Sequence, residues 1–253
     1  MFGAAWTLAI ALTLQATAQG APPPAKPVDQ TGAETWTDDR PLTHFFPNLL
    51  KDVKALPSKE TAVWLAVGGA GALAAHGADT ELADWSLRSG DSGYTEAGHI
   101  AGDGFIQSGG AIATYAIGKI AKKPQVAHFG SDLIRAQALN GLVNTAIKVA
   151  ADRQRPNGGR YSFPSGHTSA TFASATVLHA HYGWKAGGPA FGVASIVGWA
   201  RVRDRKHWLS DVAFGAAVGI ISGRTVTIAH GPRKVTMVPA KTPGGVALMF
   251  FVR

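Results

Sequence analysis

The chain has no cysteine, which excludes a disulfide framework, a thiolate nucleophile and cysteine-ligated zinc and leaves any catalysis to oxygen and nitrogen side chains. Charge is scarce as well: charged residues make up 16 % of the 253 positions, against a usual value of about 25 %. Acidic residues are the scarcer sign, 16 against 24 basic, and the net charge is +8. Such an excess suits nucleic acid, an anionic membrane surface or a phosphate-bearing substrate without choosing among them. Long charge-free apolar runs are also missing. Most fall short of the roughly 20 residues that a membrane-spanning helix needs, and mean hydropathy is only +0.06. What is plentiful is hydrophobic residues, 46 %, and glycine, 31 positions, a composition that excludes a disordered chain. The length suits one domain with appendages.

The appendages come first. Residues 2–14 are apolar apart from Thr7 and Thr13 and lead into Ala16-Thr17-Ala18, a small-x-small pattern, so residues 1–18 are expected to be a secretory signal. An uncleaved anchor helix is the alternative, since the segment's only positive charge is the terminal amine. Residues 19–60, with Ala21-Pro22-Pro23-Pro24, read as a Pro-rich linker carrying a short helix near Leu49 to Leu56. Residues 61–225 hold six apolar, small-residue runs: Thr61 to Ala78, Phe105 to Ile117, Ala136 to Ile147, Thr168 to Trp184, Ala186 to Ala200 and Val212 to Ser222. Few alternate with period two, so the expected fold is all-α, an antiparallel helical bundle of about six helices. Residues 226–253 differ. Lys234 to Pro239 and Val246 to Val252 are β-branched or aromatic around Lys241-Thr242-Pro243-Gly244-Gly245, the composition of a short C-terminal β-hairpin.

Three short segments hold the chemistry-bearing residues: Lys148 with Arg155-Pro156; Pro164-Ser165-Gly166-His167; and Arg201 with His207 and Asp211. His207 and Asp211 are four apart, so on a helix they share a face, and an Asp accepting from one imidazole nitrogen frees the other as nucleophile or base. Alone, such a pair is more often a surface contact. Ser165 and Gly166 precede an apolar helix whose unpaired N-terminal amides could face an anion, or they are an ordinary Ser cap. Lys148, Arg155 and Arg201 end apolar runs, where cations also snorkel or offset helix dipoles. Two of them are arginines able to grip phosphate oxygens in a bidentate way. In an antiparallel bundle the end of one helix lies beside the start of the next, so the three segments are expected to converge.

Taken together, Lys148, six residues, Arg155-Pro156; Pro164-Ser165-Gly166-His167; and Arg201, five residues, His207, three residues, Asp211 resemble the signature of the type 2 phosphatidic acid phosphatase and vanadium-dependent haloperoxidase superfamily, which includes bacterial acid phosphatases. One position departs: Ala200 stands where the family usually has Ser. The resemblance implies a metal-free phosphomonoesterase working through a phosphohistidine. Lys148, Arg155, Arg201, Ser165 and the Gly166 amide would hold phosphate. His207 would attack phosphorus with Asp211 orienting it, and His167 would protonate the leaving oxygen and then activate water. No cofactor is expected, vanadate entering only if the chain is a haloperoxidase. A phosphate-binding protein without turnover is a further alternative, disfavoured because binding alone needs neither acid nor nucleophile.

The expected partner is a phosphate-bearing small molecule or lipid, with membrane association possible and no nucleic acid. The short runs favour the periplasm, with an integral inner-membrane lipid phosphatase, acting for example on undecaprenyl diphosphate or phosphatidic acid, as the rival. Outside the motif, Asp79, Glu81 and Asp84 read as a solvated turn rather than a metal cluster, and His179 and His181, two apart, as structural. Trp199 and Trp208 flank the motif, and Arg203, Arg205 and Lys206 enlarge its positive field.

Overall fold

The computed structural model describes residues 41–89, 94–228, 235–242 and 245–252. The expected signal segment and the linker up to residue 40 lie outside the described residues. Nine α-helices follow one another among them: α1 (Phe45–Ala55), α2 (Lys59–His76), α3 (Asp79–Arg88), α4 (Tyr94–Gly102), α5 (Gly104–Ile120), α6 (Pro124–Ala151), α7 (Gly166–Tyr182), α8 (Trp184–Arg203) and α9 (Leu209–Ile228). This corrects the expectation of six. The six long apolar runs fall in α2 and α5 to α9, α1 lies where a short helix near Leu49 to Leu56 is expected, and the additional α3 and α4 are short and polar enough to leave no long apolar run. Two strands, β1 (Val235–Thr242) and β2 (Gly245–Val252), pair antiparallel with Val235 opposite Val252.

Local chemistry sets several helix ends. Ser58 caps α2 by accepting from the Thr61 amide, and Asp103 caps α5 by accepting from the amides of Phe105 and Ile106. Pro124 opens α6, where a missing amide costs nothing, and Asp152 closes it in the left-handed conformation.

The interior is built from small residues and polar contacts. On α9, Gly215, Gly219 and Gly223 recur every fourth position against α7; a Cβ there would stand 2.8 Å from Ser165 O, 2.3 Å from Ser169 O and 2.6 Å from Thr176 Cβ. Only glycine permits so close a backbone approach. That contact fixes Asp211, one turn before Gly215, beside the start of α7, and the Ser165 amide donates to the Asp211 carbonyl at 3.0 Å. Helices α6 and α7 run antiparallel, as their cross-links show: Lys148 to the Pro164 carbonyl, Asn144 to Ser169, Gln137 to Ala170 and Ser174, and Asp132 to His181.

Polarity is arranged inside out. Arg135, Asp132, Arg201 and Asp211 are buried, whereas Phe105 is 90 %, Ile120 82 % and Leu73 79 % exposed. The outer faces of α2, α5 and α8 carry much of this apolar surface. Among the described residues α9 alone is long and apolar enough to cross a membrane as a single helix, and α2 with α3, bent by 58°, makes a second if the pair counts as one span.

Candidate active site

The ends of α6, α8 and α9 and the start of α7 meet through the loops between them. His207 sits in the loop before α9 and is buried. Its Nδ1 lies 2.7 Å from the Ser162 carbonyl, so Nδ1 carries the proton and donates it there, leaving Nε2 with its lone pair. Asp211 Oδ2 is 3.6 Å from the same nitrogen. The expected direct Asp211–His207 hydrogen bond is therefore replaced by a carbonyl acceptor. Asp211 instead accepts from the Ser162 hydroxyl and, at 2.9 Å, from the Trp208 amide, bracing both sides of the histidine loop.

Burial, with the charges of Lys148 and Arg155, holds the His207 imidazole below the ordinary histidine range, although Asp211 opposes the shift. Arg155 also acts electrostatically on Lys148 and Arg201, and Arg201 and His207 act on His167. The structure thus brings Lys148, Arg155, His167, Arg201, His207 and Asp211 into one neighbourhood. Lys148 Nζ donates to the carbonyls of Tyr161 (2.8 Å) and Pro164 (2.6 Å), spending two of its three protons. Arg201 pairs with Asp204 through one Nη. Three buried nitrogens, Arg155 Nε, Arg201 Nε and His167 Nε2, find no hydrogen-bond partner among the described residues. Buried donors left open in this way are costly unless a ligand meets them.

Ser165 is fully buried at the start of α7, but its side chain makes no capping bond. Its Oγ accepts from Thr168 Oγ1 at 2.9 Å, so Ser165 stands at the N-cap position of α7 without a side-chain capping bond and keeps its own proton to donate. A Cβ on Gly166 would meet nothing closer than Asn144 Oδ1 at 3.6 Å, so clearance from protein atoms alone does not demand glycine here. Ala200 is buried against α4, where a Cβ on Gly98 would stand 2.7 Å from its methyl. Helix α4 forms a wall of the site: the rings of His99 and His167 stand edge to face at 5.3 Å, and a Cβ on Gly102 would come within 2.9 Å of His167 Cβ.

Sequence reasoning missed the clamp behind the site. Arg153 Nη1 donates to Asp211 Oδ1 and to Ser210 Oγ, both at 2.7 Å, while its Nη2 donates to Asp79 Oδ2 at 2.8 Å. Asp79 also accepts from the Ser210 amide at 3.0 Å. Far from lying in a solvated turn, Asp79 is 3 % exposed, because α3 turns its first residue inward. The one sequence signal was the position of Arg153 between Lys148 and Arg155. The neighbouring aromatic and basic residues are tied into the scaffold: Trp208 lies under Arg153 at 5.4 Å and donates to the Gln154 carbonyl, Arg203 lies over Trp85, and Arg205 donates to the Pro156 carbonyl.

The sequence matches the PAP2 superfamily over residues 129–234, which include all three motif segments. Over 97 residues, 37 % of this chain, the sequence is 42 % identical to the lipid A 1-phosphatase of Porphyromonas gingivalis (strain ATCC 33277), and it spans only 22 % of that relative's length. Among solved structures, the first transmembrane PAP2 type phosphatidylglycerolphosphate phosphatase from Bacillus subtilis aligns with a TM-score of 0.50 and 18 % identity, covering 73 % of this chain and 92 % of that one. Aquifex aeolicus LpxE aligns with a TM-score of 0.49 and 25 % identity, over 58 % of this chain and 93 % of that one. The Bacillus subtilis likeness is one of fold. The PAP2 segment holds the site, while α1 to α5 lie ahead of it.

Proposed function

We propose that the chain is a phosphatase that removes phosphate from a membrane lipid through a phosphohistidine on His207. The observation that carries this reading is the open buried nitrogens of Arg155, Arg201 and His167 together with the lone pair that the Ser162 contact leaves on Nε2 of His207. Arg155 and Arg201 would grip the equatorial oxygens of a phosphate, with the remaining Lys148 proton, the Ser165 hydroxyl and the Gly166 amide completing the cradle. Nε2 of His207 attacks phosphorus as the ester oxygen leaves; that oxygen takes the proton of His167, whose protonated form the bound dianion favours. His167 then accepts a proton from water as the water oxygen displaces His207 and releases inorganic phosphate. The charge is neutralised by side chains throughout, so positioning and electrostatics carry the step. Asp211 and Ser162 act on His207 as positioning residues.

The lipid assignment rests on the inside-out arrangement. Apolar surface of this extent on α2, α5 and α8 is unusual for a protein bathed in water, and small residues at helix contacts suit association within lipid. We therefore place these helices in a membrane, in place of the soluble periplasmic bundle expected from run lengths. The P. gingivalis relative's name adds support for a lipid headgroup. The test is release of inorganic phosphate by the full chain in detergent micelles from lipid A 1-phosphate, phosphatidylglycerol phosphate and para-nitrophenyl phosphate. Turnover of a lipid well above the soluble ester is expected; turnover of the soluble ester alone would overturn the lipid assignment, and labelled phosphate that never attaches to His207 would overturn the intermediate.

A further inference from the structure

At the other end of the α6–α7 pair lies a second cluster that the phosphatase chemistry does not use. His128 and Asp132 are four apart and share a face of α6, and His181 faces them from the last turn of α7. A ligand atom from each lies within 4.8 Å of the other two. Asp132 Oδ2 is 3.4 Å from His128 Nε2 and 3.0 Å from His181 Nε2. In a tetrahedral zinc site with bonds of about 2.0–2.1 Å, neighbouring donor atoms stand ~3.3 Å apart. The three side chains are 6 %, 2 % and 3 % exposed.

From this arrangement we infer that His128, Asp132 and His181 bind a first-row divalent cation of the zinc type, as a structural staple between α6 and α7. Charge supports it. Two buried carboxylates, Asp52 and Asp132, share one guanidinium: Arg135 Nε is 3.0 Å from Asp52 Oδ2, and Nη2 is 3.6 Å from Asp132 Oδ1. A divalent cation meeting the Asp132 oxygen and the two imidazole nitrogens would offset negative charge held among buried side chains. The outer shell is in place too, because Arg135 donates to the Val226 carbonyl at 3.1 Å and so connects the ligating carboxylate to α9, while Asp52 connects it to α1. Phe129 and Tyr182 stack beside His181 and wall the cluster. Sixteen residues of helix separate Asp132 from Lys148, ~24 Å along the axis, so the cation stands apart from phosphate chemistry.

The test uses the tag-free full chain, stripped with chelator and titrated with Co2+ and then Zn2+. One Co2+ per chain with the intense visible absorption of a tetrahedral site is expected, displaced by Zn2+. Affinity is expected to fall at least about 100-fold in His128→Gln and His181→Gln, while His167→Ala/His207→Ala keeps full stoichiometry. His181→Cys provides an arm that does not depend on losing the site: the chain has no other thiol, so a new sulfur-to-cobalt charge-transfer band would report ligation at position 181. A wild-type chain that takes up no Co2+ overturns the inference, as does uptake that disappears only in the His167/His207 variant. Phosphate release by His181→Gln at the wild-type rate is expected, which keeps this result separate from the phosphatase reading.

Discussion

Helices α6 and α7 end in two ionic clusters of opposite make-up. At the Lys148–His167 end, cations outnumber nearby carboxylates, and buried nitrogens of Arg155, Arg201 and His167 find no hydrogen-bond partner among the described residues. At the His128–His181 end, carboxylates lead and two imidazoles converge on one Asp132 oxygen. The same pair of helices therefore presents an anion cradle at one end and a cation cradle at the other. Burial alone does not define a site; the kinds of side chain brought face to face say which ligand would suit it.

The comparison breaks most sharply at His207. Replacing it, His207→Ala, is expected to lower phosphate release by roughly 10⁴-fold or more and to abolish phosphoenzyme, while Co2+ uptake at the far end is untouched; a variant retaining appreciable turnover would remove the nucleophile from the scheme. Arg201→Ala removes an open donor and is expected to cost on the order of 10²–10³-fold in kcat/KM, with Arg201→Lys a poor rescue because the fork geometry is lost. Equal rates for the two variants and the native chain would show that the cradle lies elsewhere.

A smaller effect tests the clamp. Asp79→Asn leaves Arg153 and Ser210 short of an acceptor and is expected to cost about 1–3 kcal/mol of stability, read as a lowered Tm. Removing the exposed Arg160 partner through Asp152→Asn is expected to leave Tm unchanged, as surface pairs contribute little. Similar Tm losses in the two variants would erase the distinction drawn between buried and exposed pairs.

The pH profile gives the finest discrimination. Attack needs neutral His207, so activity is full above its folded pKa and is lost as pH falls through it. Since burial lowers that value, the acid limb of kcat/KM is expected below about pH 6.5, the ordinary histidine range. An acid limb above that range would contradict the burial argument. Loss of the His167 proton from the substrate complex, where the bound dianion favours its protonated form, should form the alkaline limb of kcat.

Much of the candidate site is legible in the sequence because its residues lie in short segments of fixed spacing, which single out Arg155, Ser165, His167, Arg201 and His207 as candidates. Arg153 and Asp79 are not, because their partners are far along the chain and a lone acidic helix start looks solvated. The tautomer of His207 was equally hidden, since it depends on the Ser162 carbonyl and no side chain announces a backbone acceptor. Helices α3 and α4 escaped because pattern reading rewards long apolar periodicity. Run length is also an incomplete guide to what a helix shows its surroundings: the helices extend past the apolar runs, and packing sets which side chains face outward.

The sequence by itself determined the helical character of the chain, through its Ala- and Gly-rich runs, and the kind of chemistry available, through arginines and histidines in a cysteine-free chain. Tertiary structure decided which charges are compensated. The α9 glycines let that helix settle onto α7, bringing Asp211 against Ser165 and leaving the Arg155, Arg201 and His167 nitrogens open. Whether a buried charge finds a partner depends on distances between helices, and those are fixed only when backbones pack.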